Sequence, residues 1–417
     1  MGGTQIAAVG QGGERRDSWH HRRVKIVDRI EDVPLRRGEG RISGTLSVFF
    51  GALSLLGVLC FHFPEYLTTP RLRANYDLGV LRSLLLFAML AAVGFGAFTF
   101  FRWRNKRLGA VGIGLALVTT WLGGASVEID DFRQPAISFG LDWFVLALLA
   151  NTLVFVVVER LFPHRDDQLV LRKEWQLDLG YYFFNHIMIS VILLVTTAFS
   201  EQIFGWAVHD GLQAAVRSQP IWLQLIEVLF AADLVQYAGH RAMHEHPRLW
   251  NIHAVHHCPA EMDWLSGSRI HFIEVLFTRS TVLLPIYLFG FSETAVNLYV
   301  IWVGIQGVLI HSNTDLPFGP LRYLVTTPHF HHWHHAADAE AIDKNYAAHL
   351  PVIDMIFGTW VRGEEQGGGL RWPEHYGVVG KALPQGFFAQ HLYPFVAPPK
   401  GDPAAVATEP DAEDLSR

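Results

Sequence analysis

Residues 221–244 read IWLQLIEVLFAADLVQYAGHRAMH. The apolar part, 221–239, is close to the ~20 residues a helix needs to cross the hydrocarbon core of a bilayer. Asp233, Tyr237, His240 and His244 stand at i, i+4, i+7 and i+11 within the same stretch, which on a helix makes one polar stripe. A spanning helix that runs out into two histidines one turn apart decides the class of protein. A carboxylate at bilayer depth is costly and usually has a functional partner. Asp233 therefore reads either as the acceptor that orients a metal-bound imidazole or as a structural hydrogen bond to a neighbouring helix. Glu227 reads as structural.

Similar apolar segments lie at roughly 45–63, 80–101, 108–124, 139–158 and 180–200. Together they predict an all-α, polytopic membrane bundle. A further apolar region, about 272–310, is interrupted by Pro285 and Gly290 and opens with Glu274 and Arg279. It reads as a helical hairpin rather than two clean spans. Basic residues set the orientation. Arg15, Arg16, Arg22, Arg23, Lys25 and Arg29 precede the first segment, and Arg102–Arg107 and Arg160–Lys173 carry four positive charges each. The acidic stretch 125–138 suits an outer loop. Six spans then return the chain to the cytoplasm at His240, and the hairpin returns it at His311. Both termini and every histidine motif are expected on the cytoplasmic face, in a cap over the membrane. Residues 1–41 and the tail beyond Ala397 are expected to be disordered. The expected organisation is a cytoplasmic N-terminus (1–41), N-terminal transmembrane helices (42–219), a catalytic domain (220–365) and a C-terminal extension (366–417).

Composition supports this class. Of 417 residues, 50% are hydrophobic and 17% charged, against about 25% charged in soluble domains. A disordered chain, a collagen-like fibre and a secreted disulfide scaffold are excluded. Cys60 and Cys258 form no CxxC pair. The formal charge of −6 gives no case for nucleic acid. Histidine is the anomaly: 14 of the 22 lie between His240 and His349.

Three groups stand out: HRAMH (240–244), HAVHH (253–257) and HHWHH (331–335). On helices, His240 and His244 share a face, as do His253, His256 and His257, and likewise His331, His334 and His335. Eight imidazoles exceed the roughly four ligands of a single zinc site, so two metal ions sharing one cage is the economical reading. Imidazole suits iron, zinc, copper and nickel alike, and spacing does not choose among them. Zinc has no redox chemistry; the membrane setting favours oxygen chemistry on a lipid over hydrolysis.

These boxes, HX3H, HX2HH and HX2HH, resemble the signature of the fatty acid hydroxylase superfamily, which includes sterol desaturases and C4-methyl sterol oxidases. The flanks extend the resemblance: DLVQYAGHRAMH (233–244), LWNIHAVHH (249–257), SRIHFIE (268–274), HSN (311–313), TTPHFHHWHH (326–335) and DKNYAAHLPVIDMIFGTW (343–360). Phe272 stands where the family usually has proline. The resemblance covers about 220–365. It implies a membrane-bound di-iron oxygenase that hydroxylates or desaturates a lipid using O2, with electrons from a separate donor protein and the substrate drawn from the bilayer. It assigns His240, His244, His253, His256, His257, His331, His334 and His335 as catalytic metal ligands, with His311 as a ninth ligand.

Asp233, Tyr237, His271 and Asn313 are candidates for supporting those ligands; His271 could equally pack a helix. His329 and His332 lie off the chelating stripe and read as surface or hydrogen-bonding residues. His186, His209, His246 and His349 have no assigned role. Trp250, Trp264, Trp333 and Trp360 would line a lipid entrance or anchor the interface. Two rival functions use the same residues. A zinc-dependent membrane lipid hydrolase would need a general-base carboxylate, for which Glu261 and Asp263 are nearest in sequence. A metal transporter would want ligands at mid-membrane.

Overall fold

The computed structural model describes residues 40–73, 76–103, 106–128, 138–363, 370–380 and 383–397. The expectations for residues 1–39, for most of the acidic loop and for the tail beyond Ala397 fall outside them. The main helices are α1 (Arg41–His62), α2 (Leu78–Arg102), α3 (Arg107–Trp121), α4 (Leu141–Leu161), α5 (Trp175–Ile187), α6 (Ile189–Phe204), α7 (Asp210–Arg217), α8 (Ile221–Glu245), α9 (Pro247–His257), α10 (Phe272–Phe289), α11 (Glu293–His311), α12 (Pro328–His334), α13 (Val352–Phe357) and α14 (Phe387–Val396). No strand occurs among the described residues. Among the described residues, the segments of α1–α4, α6, α8, α10 and α11, eight in all, are long and apolar enough to cross a membrane. The protein is an all-helical integral membrane protein.

Two expectations about the spans change. The apolar run 180–200 is divided at Met188, so that α5 ends there and the spanning helix begins at Ile189. The region 272–310 is two helices of spanning length rather than an interrupted hairpin. Pro285 lies inside α10 without ending it, since one missing hydrogen bond is tolerated in a packed membrane helix. The break comes at Gly290, whose φ of 61° is left-handed and whose N–H caps the Ile286 carbonyl at 3.0 Å. Ser292 then starts α11 by accepting the Ala295 N–H.

The chain folds as two compact units. The first comprises the described parts of Met1–His62 and Tyr76–Asp130, that is, α1–α3. These helices approach closely on small residues: a Cβ added at Gly112 would fall 2.0 Å from Ser47 Oγ. Hydroxyls join the helices, Ser47 donating to the Ala92 carbonyl at 2.7 Å and Thr99 to Ser43 at 2.7 Å. Small residues and interhelical hydroxyl bonds are the usual means of helix association in lipid, where apolar contact alone gives no preference.

The second unit comprises Phe63–Asn75 and the described part of Asp131–Arg417, and holds all three histidine boxes. Helices α8, α10 and α11 share an apolar core that includes Val228, Ala232, Val282, Ala295 and Tyr299. Short polar links place the boxes. His246 closes α8, and Pro247 at the first position of α9 turns the chain directly into the second box. Thr327 caps α12, again with proline at its first position, and so starts the third box.

Three buried carboxylates assemble the loops beneath these helices by accepting backbone N–H groups. Glu159 takes those of Trp264 and Asn313, at 2.8 and 3.0 Å. Asp233 takes those of Ala348, His349 and Leu350, the last at 2.7 Å. Asp354 takes those of Tyr346 and Ala347, at 2.8 and 2.7 Å. Asn345, left-handed at φ 56°, bonds the Phe330 and Val361 carbonyls and accepts the Val361 N–H. Segment 343–350 is thereby held from several sides.

Candidate metal centre

All nine histidines assigned as ligands are buried and converge. They form two groups, each with its donor nitrogens within 4.8 Å of one another: His240, His244, His253, His257 and His334 in one, His256, His311, His331 and His335 in the other. The grouping cuts across the boxes. In the second box, His253 and His257, one turn apart, go to the first group and His256 to the second. In the third box, His331 and His335 go to the second group and His334 to the first. The groups adjoin, with the His257 and His335 rings stacked at 4.3 Å.

The inward nitrogens are close: His240 and His253 Nε2 lie 2.9 Å apart, His257 and His253 3.0 Å, His257 and His334 3.1 Å. In the second group, His331 and His311 Nε2 are separated by 2.9 Å, His335 and His331 by 3.1 Å, and His311 and His256 by 3.2 Å.

The outward nitrogens decide the tautomers. His240 Nδ1 donates to the Tyr346 carbonyl at 2.7 Å, His334 to that of Lys344 at 2.9 Å, His311 to that of Gly307 at 2.8 Å and His256 to that of Arg269 at 3.1 Å. A carbonyl only accepts, so the proton sits on Nδ1. His253 Nδ1 donates to buried Glu274 at 2.8 Å, and His244 Nδ1 to Asp343 at 3.3 Å. In the neutral ring Nε2 then carries a bare lone pair. His240 faces His253 at 2.9 Å, and His311 faces His256 at 3.2 Å, lone pair to lone pair with no proton to place between them. That arrangement suits cations: two nitrogens held cis by one metal at about 2.1 Å are themselves roughly 3 Å apart. Outward anchoring of these six rings is also what fixes ligand orientation in metal sites. The residues present fit a pair of metal ions.

Burial, and after it the charges of neighbouring imidazoles, holds His256, His257, His331, His334 and His335 well below the ordinary histidine value of about 6.5. They stay neutral and able to ligate near neutral pH. For the metal-free protein the linkage has a definite sign. The unfolded chain takes up protons below about pH 6.5 that the folded chain resists, so stability is full above that value and falls as the pH drops. Thermal melts of chelator-treated protein between about pH 8 and pH 5 should show Tm falling below about 6.5; a flat profile would contradict this.

The four supporting candidates lie elsewhere. Asp233 spends its carboxylate on the 348–350 backbone, close to the structural alternative but directed at a loop. Tyr237 bonds Thr359 at 2.9 Å and stacks on Phe357. His271 Nδ1 accepts the Ile273 N–H, and its Nε2 donates to the His391 carbonyl. Asn313 accepts from the Arg165 N–H and donates to the Arg165 carbonyl. None of these contacts is to a ligand imidazole, because each side chain is committed to backbone or helix packing. Sequence reasoning missed Glu274 and Asp343 as ring anchors, although both stand in the quoted motifs. The carbonyls of Arg269, Lys344 and Tyr346 have no side-chain signal to find. His332 is buried and donates to the Ser312 carbonyl at 3.1 Å, with Tyr376 at 2.8 Å on its other nitrogen. Trp264 and Trp333 are core residues, Trp333 donating to the Arg371 carbonyl at 2.8 Å. Trp250 covers the His244 and His257 rings, at 5.0 and 5.4 Å.

Comparison with known proteins agrees with the geometry. Residues 225–359 match the family model described as Fatty acid hydroxylase. The chain is 29% identical over 267 residues to the ornithine lipid hydroxylase OlsE of Rhizobium tropici, covering 61% of this chain and 76% of that protein. It is 31% identical over 241 residues to an alkylglycerol monooxygenase of Homo sapiens, covering 56% and 48%. With the very-long-chain aldehyde decarbonylase GL1-7 of Oryza sativa subsp. japonica it shares 26% over 247 residues, covering 54% and 36%. The match thus spans less than half of each of the last two relatives. No solved structure matches.

Proposed function

We propose, from the premise that this chain carries a fatty acid hydroxylase domain over residues 225–359, that the protein hydroxylates a membrane lipid at a di-iron centre held by His240, His244, His253, His256, His257, His311, His331, His334 and His335. The observation that carries this reading is the two adjoining groups of inward-facing imidazoles. When bound there, a pair of irons would supply the activation of O2, with electrons from a separate donor protein. The chain's own work is different. Carbonyls fix the His240, His256, His311 and His334 rings, Glu274 that of His253 and Asp343 that of His244, so that their lone pairs point inward. Buried Tyr346 and half-buried Trp250 pack against the rings and exclude water there. The spans give an apolar substrate a route from the bilayer. By the charge distribution of the loops, the histidine face and both termini lie in the cytoplasm, where a charged donor could dock.

The relatives named above support a lipid as substrate and oxygen insertion as the reaction. The zinc hydrolase loses its support at Asp263, which is buried, accepts the N–H groups of Leu265 and Ser266 and pairs with Arg172 at 3.1 Å. A carboxylate so engaged is no free base. Mass spectrometry of lipid extracts from cells with and without the protein is expected to show one lipid class gaining a single oxygen. Product formed at full rate without O2 would overturn the oxygenase reading.

A further inference from the structure

Helix α14 reads FFAQHLYPFV and contains no acidic residue, lysine or arginine. Its inner side is tied down by polar contacts. Gln390 is buried and accepts from Tyr181 Oη at 3.1 Å, the His391 carbonyl accepts from His271 Nε2 at 3.1 Å, and the Ala397 carbonyl accepts from Asn251 Nδ2 at 3.2 Å. The Phe387 ring meets Phe184 edge-on at 5.2 Å. On the opposite side Phe388, Leu392, Phe395 and Val396 are 79%, 62%, 68% and 79% exposed. Their spacing of i, i+4, i+7 and i+8 puts them on one face. His271 is the residue that caps α10, a helix of membrane-spanning length, so α14 is fixed at the depth where α10 enters the bilayer.

We propose that α14 is an interfacial helix whose Phe388–Leu392–Phe395–Val396 face is sunk into the acyl region of the surrounding lipid. Two features commit it to a lipid surface rather than a soluble partner. The face is continuous with the start of a spanning helix, and it offers no charge to complement. Interfacial helices commonly set their depth with a charged outer side; here the polar side is used up by the protein, which sets the depth instead. Because Asn251 lies on α9 two residues before His253, α14 ties the membrane surface to the helix that carries three of the nine histidines. The inference rests on the protein being integral to the membrane and not on the metal reading.

Photo-crosslinking tests it in the full chain. Benzoylphenylalanine is placed singly at Phe388, at Leu392 and, as a solvent-exposed control, at His375, in vesicles of phosphatidylcholine and phosphatidylglycerol. Irradiation is expected to give lipid-mass adducts at 388 and 392 and none above background at 375. A thermal melt equal to that of the unsubstituted protein confirms that each variant is folded. Adducts at twice the chain mass, meaning a second copy covers the face, would overturn the proposal, as would a lipid yield at 388 and 392 no greater than at 375.

Discussion

His334→Ala and His256→Ala are each expected to abolish turnover and reduce bound metal while the protein stays inserted in the membrane. The two residues test the two groups separately. His334 Nε2 lies 3.1 Å from His257 Nε2 in the first, and His256 Nε2 lies 3.2 Å from His311 Nε2 in the second. Each is buried, and each donates its Nδ1 proton to a backbone carbonyl. Truncation therefore removes an inward lone pair and leaves the carbonyl without its partner, which costs stability as well as a ligand, on the order of 1–3 kcal/mol for the unsatisfied acceptor. The apolar core shared by α8, α10 and α11 includes neither ring, so insertion survives. His209→Ala, at the exposed start of α7, is expected to change neither metal content nor activity. Either ligand variant retaining full metal and full turnover would remove that residue from the centre.

Glu274 is expected to divide two effects. It accepts from His253 Nδ1 at 2.8 Å, and its other oxygen is buried without a hydrogen-bond partner. Glu274→Ala deletes the acceptor that fixes the His253 ring, a change that typically costs about 10–100-fold in metal affinity or activity. Glu274→Gln keeps an acceptor oxygen of the same reach while replacing the carboxylate with a neutral amide. A small loss in Gln and a large loss in Ala would show that ring orientation dominates. Equal losses would show that the carboxylate charge, facing a cage of otherwise neutral nitrogens, matters more. Titration of apo protein with Fe(II), read by absorbance, distinguishes them. No loss in either variant would contradict a role for Glu274 at the centre.

Much of this was legible in the chain itself. The run 221–239 and the similar segments exposed the membrane class, because an apolar stretch of that length has few other uses. The three boxes pointed to convergent imidazoles. Their division between two groups was less visible, although it follows from the one-turn spacing of His253 with His257 and of His331 with His335: the odd member of each box, His256 or His334, faces away to the other group. Asp233 illustrates the limit. Helical spacing put it on the stripe with His240, but its oxygens are taken by backbone N–H groups 115 to 117 residues away. No local pattern reports such a partner. The same holds for the carbonyls that orient His240, His256 and His334, since every residue carries one. Met188 was missed as a helix end because an apolar run hides a change of direction made by the backbone alone, and Pro285, read beside Gly290 as a break, lies inside α10.

The most direct measurement is anomalous diffraction at the iron edge from crystals of the iron-loaded protein. Two peaks are expected, one inside the group of His240, His244, His253, His257 and His334 and one inside the group of His256, His311, His331 and His335. A single peak, or peaks lying outside both groups, would contradict the account.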